Sequence, residues 1–233
     1  GSFLKSASAP IITRRGVDRA QRLPRRSHRA APYHRGMSAI AVIDFETTGV
    51  SPGQGARATE VGIALLERGR IVDRFQGLMN AGVPIPPFIV QLTGITNAMV
   101  AAAPPAAKVM AEAARFVGDR PMAAHNAGFD RKFWVDELAR AGLPAPQPFA
   151  CTVMLSRRLY PELPSHRLGA LGDHFALPRT GDAHRALADA EMAAALLARM
   201  QHDLRVRWGV PDPDHAVLAQ LQRCAPRAID AAV

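Results

Sequence analysis

The sequence predicts an α/β domain built on a five-stranded mixed sheet, antiparallel in its first part and parallel afterwards, with helices on its flanks. Two observations predict it. Three β-favouring segments follow one another near the start of the patterned region, and beyond them short strands alternate with helical periods. A length of 233 residues suits one such domain with appendages and would cramp two.

Residues 39–44, Ala-Ile-Ala-Val-Ile-Asp, form a short apolar run that reads as a buried strand ending in an acid. Residues 59–66 and 70–79 read as two more strands joined by a hairpin turn at 67–70, which makes an antiparallel meander. Residues 104–117 carry Ala, Val, Met and Phe at helical spacing. A short strand at 121–124 and a helix at 130–141, closed by Gly142 and Pro144, come next. Residues 149–152 supply the fifth strand, and 153–159 and 167–175 read as helices. Asp182 is the expected N-cap of a long Ala/Leu-rich helix ending near Met200. In the last stretch, 201–233, the apolar run 217–221 suits a docking helix. There is no internal repeat.

The net charge of +9 invites a nucleic-acid reading, but its location matters more than its size. Residues 1–36 hold nine of the 29 Lys and Arg and only one of the 20 acids, Asp18. The remainder, with 20 basic and 19 acidic residues, is nearly neutral. The chain therefore divides into a basic arm (1–36), a patterned domain (37–200) and a C-terminal extension (201–233). The arm has no sustained hydrophobic period and is expected to be flexible unless tied down from outside. It reads as a nucleic-acid-attracting tail, as a targeting peptide, or as translated sequence upstream of a start at Met37, with Gly1-Ser2 a cloning remnant. No segment reaches the roughly 20 apolar residues that a membrane helix needs, so no membrane partner is expected. Cys151 and Cys224 lack metal-ligand or redox spacing, which fits a reducing, cytoplasmic setting and argues against thiolate zinc.

The chemistry starts from Asp44-Phe45-Glu46. On a strand, period 2 points both carboxylates to one side and Phe45 to the other. Two adjacent carboxylates repel unless a cation lies between them, and hard divalent ions take such oxygen donors. A pair of solvated acids at a strand end is the competing reading. Further on, His125-Asn126-Ala127-Gly128-Phe129-Asp130 and His184-Arg185-Ala186-Leu187-Ala188-Asp189 add a histidine and two more acids.

Together with Thr47-Thr48-Gly49, the order and spacing of these blocks resemble the DEDD exonuclease superfamily in its histidine branch, which includes the proofreading epsilon subunit of bacterial DNA polymerase III and ribonuclease T. The likeness covers residues 39–200. It implies a ribonuclease H-like fold and a 3′-to-5′ exonuclease acting on single-stranded DNA or RNA ends, with release of nucleoside 5′-monophosphates. It also implies two Mg²⁺ or Mn²⁺ ions: Asp44 shared between them, Glu46 and Asp189 completing one site, and Asp130 serving the other. His184 would be the general base, a role suited to a side chain titrating near pH 6.5. Thr47, Thr48, Asn126 and Phe129 are implied substrate contacts. Leu92-Thr93-Gly94-Ile95-Thr96 resembles the segment beside the terminal nucleotide, although Thr93 stands where several relatives have histidine. A polymerase subunit is an implied partner, RNA trimming an alternative activity, and a polymerase-docking module an alternative role.

Plainer readings stand beside these. Thr47-Thr48-Gly49 reads equally as a turn, Phe45 as core, Asn126 as part of a structural turn, and Glu60 as structural. His125, His166 and His174 read as polar or capping residues. Arg157, Arg158 and Arg167 read as a solvated face or as phosphate-steering charges. His184 and Asp189 are five residues apart, about 140° around a helix, so they cannot share one face. Asp189 is expected in the helix, and His184 in its first turn or the loop before it.

Overall fold

The computed structural model describes residues 12–13, 39–181 and 184–225. Asp182 and most of the arm lie outside the described residues. Six strands form one sheet: β1 (Ile12–Thr13), β2 (Ile40–Thr47), β3 (Ala58–Glu67), β4 (Arg70–Leu78), β5 (Met122–Ala124) and β6 (Phe149–Cys151). Their order is β1-β4-β3-β2-β5-β6. The five expected strands are all present, and β1 adds two residues antiparallel to the outer edge of β4. β2, β3 and β4 form the antiparallel meander, whereas β5 and β6 run parallel to β2. The β3–β4 hairpin turns through Arg68 (φ 50°) and Gly69 (φ 76°), the pair of left-handed residues that matches the twist of the strands.

Helices cover both faces because β2 is apolar on both. Ala41, Ile43 and Phe45 face a core shared with α3 (Ala106–Val117) and α4 (Ala127–Arg140). Ile40 and Val42 face the other core, shared with α5 (Thr152–Leu159), α6 (Leu168–His174), α7 (Ala186–Trp208) and α8 (His215–Leu221). Asp44 and Glu46 continue the row of Ile40 and Val42, so both carboxylates rise on the α7 side.

Two short helices escape the sequence reading, α1 (Pro87–Thr93) and α2 (Asn97–Ala101). Pro87 occupies the first helical position, where its missing N–H costs nothing. Gly94 (φ 70°) then closes α1. Ile85, Ile95 and Val100 make a small core beneath them.

The long helix also departs from expectation at both ends. It starts at Ala186 with Arg185 as its N-cap, not at Asp182, because His184 at φ 61° cannot continue a right-handed helix. It runs past Met200 to Trp208 and stops at Gly209 (φ 67°). Asp203 looks like a breaker of the apolar pattern, but it is buried and satisfied by the Tyr160 hydroxyl at 2.9 Å and the Arg199 Nε at 2.9 Å. The apolar run read as a docking helix forms α8 and packs within this chain, with Leu218 and Leu221 buried. His215 on α8 bonds the Met122 carbonyl at 2.9 Å. Just beyond α8, the Gln222 amide accepts from the Cys151 N–H (2.7 Å) and donates to the Phe149 carbonyl (3.1 Å), closing the exposed edge of β6. Among the described residues no helix is long and apolar enough to cross a membrane.

Candidate active site

The site forms where pairing stops. A β-bulge between Glu46 and Thr47 interrupts the β2–β3 ladder directly after the second carboxylate. On the other side, β5 pairs with β2 only at Ala41 and Val42, which frees the N–H of Phe45. The Asp130 carboxylate accepts it at 3.2 Å. Asp130 belongs to the first turn of α4, so one hydrogen bond fixes the second acidic block against the first.

Asp189 arrives on the first turn of α7, where its N–H bonds the Arg185 carbonyl at 3.1 Å. Each of Asp44, Glu46 and Asp189 offers a carboxylate oxygen, and these atoms all lie within 4.8 Å of one another. Asp130 is buried beside Asp44 and raises its pKa by charge repulsion. His184 is exposed in the turn before α7, as the five-residue spacing requires.

The electrostatics describe a site that needs a cation. Burial first, then Asp130, Glu46, Asp189 and Glu60, hold the Asp44 carboxyl well above the usual range. Burial and the charges of Asp189 and Glu60 push Glu46 up to about 8, against a partial offset from Arg185. Burial pushes Asp130 up to about 8 even though it accepts the Phe45 N–H. Asp189 is also raised by burial, with His184 opposing. Oxygen donors this close, and this reluctant to ionise together, suit a hard divalent ion, which supplies the missing positive charge.

The remaining expected residues fall into two groups. Thr47 donates to the Gly49 carbonyl at 2.7 Å, and the Thr48 hydroxyl accepts the Arg57 N–H at 3.0 Å, so both hydroxyls brace the turn. Gly49 and Thr48 nevertheless line a groove of about 360 Å³ with Val50, Ala56 and the exposed Phe88 of α1. Asn126 is exposed at φ 70°, at the head of α4, and Phe129 packs its ring on Phe133 at 5.0 Å. Thr93 is buried and its hydroxyl is committed within the chain, donating to the Ile89 carbonyl (2.9 Å) and accepting from the Ile95 N–H (3.1 Å). Phe45 is core, 6.4 Å from the Phe133 ring. A larger groove, about 640 Å³, runs along the outer face of α4 past Arg131, Lys132 and Val135, and none of the clustered acids lines it.

His125 shares its Nδ1 with the Thr152 hydroxyl at 2.9 Å, and burial lowers its pKa to about 4, so it is neutral at pH 7. His166 bonds Ser156 at 3.0 Å, and His174 stands edge-on to Phe175. Arg158 does not steer phosphate: it is buried, and its guanidinium bonds the carbonyls of Cys224 (2.7 Å) and Met154 (2.6 Å). Arg157 and Arg167 are exposed.

Three supports of the site were missed or underrated from sequence. Glu60 is fully buried opposite Glu46 and bonded to Arg185. Gly62 lies opposite Asp44, and a Cβ there would meet the Leu187 nitrogen at 2.2 Å, so α7 rests directly on the β3 backbone. Glu137 on α4 pairs with both ends of the Arg57 guanidinium fork at 2.8 Å and accepts the Ala58 N–H at 3.0 Å. An acid and a glycine inside an otherwise apolar strand were the available signal for the first two, since the one demands a partner and the other marks close backbone approach.

Known proteins resemble this chain over most of its length. An exonuclease family model of the RNase T type matches residues 41–197. The DNA polymerase III subunit epsilon of Aquifex aeolicus is 32% identical over 175 residues, covering 74% of this chain and 85% of that protein. The 3′-5′ exonuclease DinG of Bacillus subtilis is 35% identical over 191 residues, 82% of this chain but 20% of that protein. A PolC-type DNA polymerase III of Halalkalibacterium halodurans is 37% identical over 171 residues, 73% of this chain and 12% of that protein. The chain thus spans a small part of the length of these last two relatives. Among solved structures, Exonuclease X in complex with 5′ overhanging duplex DNA shares 28% identity with a TM-score of 0.63, over 78% of this chain and 99% of that one. The nuclease domain of 3′hExo, a DEDDh family member bound to rAMP, shares the fold at 22% identity and a TM-score of 0.61, over 72% and 93% of the two chains. With its acids gathered at the end of β2 and a family model spanning most of its length, this chain belongs to the RNase T-type exonuclease family.

Proposed function

We propose that the protein is a 3′-to-5′ exonuclease that removes nucleoside 5′-monophosphates from single-stranded DNA ends, in proofreading or repair. The observation that carries the reading is the convergence of Asp44, Glu46 and Asp189, with Asp130 beside Asp44 and His184 at the head of α7. Asp44, Glu46 and Asp189 would hold one divalent ion, and Asp44 with Asp130 a second. Mg²⁺ or Mn²⁺ in these places would stabilise charge on the attacking and leaving oxygens of the phosphodiester. His184 takes the proton of the attacking water, whose oxygen bonds to the terminal phosphorus as the bond to the penultimate 3′ oxygen breaks. Its exposure leaves the imidazole free to receive that proton and pass it to solvent. The groove beside Thr48 and Gly49, lined also by Phe88, receives the terminal nucleoside, and Asn126 and Phe129, at the head of α4, would add contacts to the strand. DNA is favoured over RNA because the relative matched over most of its own length is named a DNA polymerase III subunit.

The test uses 5′-labelled single-stranded DNA and RNA of one sequence, with Mg²⁺, Mn²⁺ or chelator, and compares wild type with Asp44→Ala. A metal-dependent ladder on DNA, abolished by the substitution, is the expected result. A ladder on RNA alone would replace DNA by RNA as substrate. No shortening of either polymer would overturn the proposal.

A further inference from the structure

Glu60 presents a problem that the catalytic acids do not. It is completely buried on β3, faces Glu46 across the ladder, and adds negative charge to a site already crowded with it. A buried carboxylate persists only if its charge and lone pairs are answered. Here each oxygen accepts two hydrogen bonds. Oε1 takes Gln76 Nε2 at 2.8 Å and the Arg185 guanidinium at 2.7 Å. Oε2 takes Arg185 Nε and the backbone N–H of Ala186, both at 3.1 Å. Four bonds fill the acceptor capacity of a carboxylate, so Glu60 is not a further metal ligand despite its location.

What those bonds hold is the start of α7. Ala186 is the first helical residue, Arg185 precedes it, and His184 precedes Arg185. Three residues into the helix stands Asp189, whose own N–H is tied to the Arg185 carbonyl. On the far side of His184, Thr180 donates its hydroxyl to the buried Glu191, which also pairs with Arg74 of β4. Thr180 and Ala186, on either side of His184, are therefore each tied to a buried acid.

Resting on the exonuclease reading above, we propose that Glu60 and Arg185 are a positioning pair: they set the first turn of α7, and with it the placement of the His184 backbone and of Asp189 against Asp44 and Glu46. The pair acts through other residues. Its loss is felt in turnover more than in strand binding, because the groove beside Thr48 and Gly49 is built from other elements.

The experiment measures steady-state cleavage of a labelled single strand by Glu60→Gln, Arg185→Ala, Arg185→Lys and the Glu60→Gln/Arg185→Ala double variant, all in the full chain. Glu60→Gln keeps the size but turns an N–H₂ toward a donor. Loss of such outer contacts lowers kcat by about 10- to 100-fold, while KM for the strand stays within about twofold. The double variant falls no further than the worse single one, the mark of one coupled unit. Arg185→Lys recovers part of the loss, since charge is kept but the fork is not. In chelator, with no activity involved, the Ala186 amide exchanges hydrogen faster than in wild type for every variant that folds. Unchanged kcat in Arg185→Ala, a loss carried by KM, or unaltered Ala186 protection each overturns the proposal. Should Glu60→Gln not fold, the Arg185 variants decide alone. A wild type that cuts neither polymer defeats the exonuclease reading, and Ala186 exchange then still decides whether the pair sets the helix start.

Discussion

Asp44 stands opposite Gly62 in the β2–β3 register, and Gly62 is where α7 meets the sheet through backbone alone. A Cβ at Gly62 would lie 2.2 Å from the Leu187 nitrogen and 2.3 Å from the Ala186 carbonyl carbon, with no flexible side chain to give way. Gly62→Ala must lift the head of α7, carrying Asp189 away from Asp44. The expected cost is about 3 kcal/mol, the upper end for overpacking, with a fall in nuclease activity exceeding the fraction unfolded. Chemical denaturation alongside a cleavage assay checks both, and an Ala variant of wild-type stability and activity would contradict the contact.

Removing a charge from the cluster should have the opposite effect on stability. Asp44 is half-buried amid Asp130, Glu46, Asp189 and Glu60, all of which oppose its ionisation. Asp44→Asn keeps the shape and relieves that repulsion, so the metal-free protein is expected to melt higher than wild type while cleavage is abolished. This is the trade between stability and activity expected where like charges are gathered for function. Melting in chelator at pH 8 provides the measurement; a lower Tm for Asp44→Asn would show that its carboxylate is held by favourable contacts instead.

These two residues also show what the sequence could convey. Asp44 and Glu46 were legible because period 2 on an apolar strand puts two acids side by side, a local signal. The strands around them were legible for the same reason. Gly62 and Glu60 occupy the next strand, and their meaning lies in α7, more than 120 residues away, which no local pattern reports. The head of α7 was misplaced because a capping preference at Asp182 was given more weight than the left-handed backbone at His184, which no residue preference announces. Its far end lies beyond Met200, where Asp203 stays inside the helix because Tyr160 and Arg199 are brought to it by the fold. Thr93 illustrates a limit of resemblance: the segment matches, while this side chain closes α1.

The pH dependence of stability follows from Glu46 and Asp130, both pushed up to about 8 in the folded chain. Between their unfolded values and about 8, the folded protein binds more protons than the unfolded one, so stability declines as pH rises. Below about 6.5 the lowered pKa values of His125, His166 and His215 act with the opposite sign, because the unfolded histidines take up protons that the folded ones refuse. The window from pH 6.5 to 8 therefore isolates the acids. In chelator Tm should fall across it, and in Mg²⁺ the slope should flatten, since a bound cation keeps the carboxylates ionised and releases their protons. A chelated protein whose Tm is flat or rising from pH 6.5 to 8 would refute the assignment.

Arg57 and Glu137 test the scaffold apart from the chemistry. Glu137 is 1% exposed and accepts three hydrogen bonds: two from the Arg57 guanidinium and one from the Ala58 N–H. Arg57 also donates to the Ala81 carbonyl at 3.0 Å, and its backbone exchanges hydrogen bonds with Thr48, whose hydroxyl accepts its N–H while the Thr48 N–H donates to its carbonyl at 2.9 Å. One residue thus links α4, which carries Asp130, through its side chain to the turn after Glu46, which its backbone holds. Arg57→Ala leaves a buried carboxylate without its countercharge, a change that costs about 3–5 kcal/mol. Exposed pairs such as Arg140 with Asp136 bring well under about 1 kcal/mol and serve as the control. Urea denaturation of Arg57→Ala against Arg140→Ala should separate the two by several-fold in lost stability. Because the guanidinium ties α4 to the residue whose backbone holds Thr48, loss of that tie should weaken strand binding under conditions where the variant remains folded. Equal losses in the two variants would place the Arg57 pair among ordinary surface charges and remove it from the support of the site.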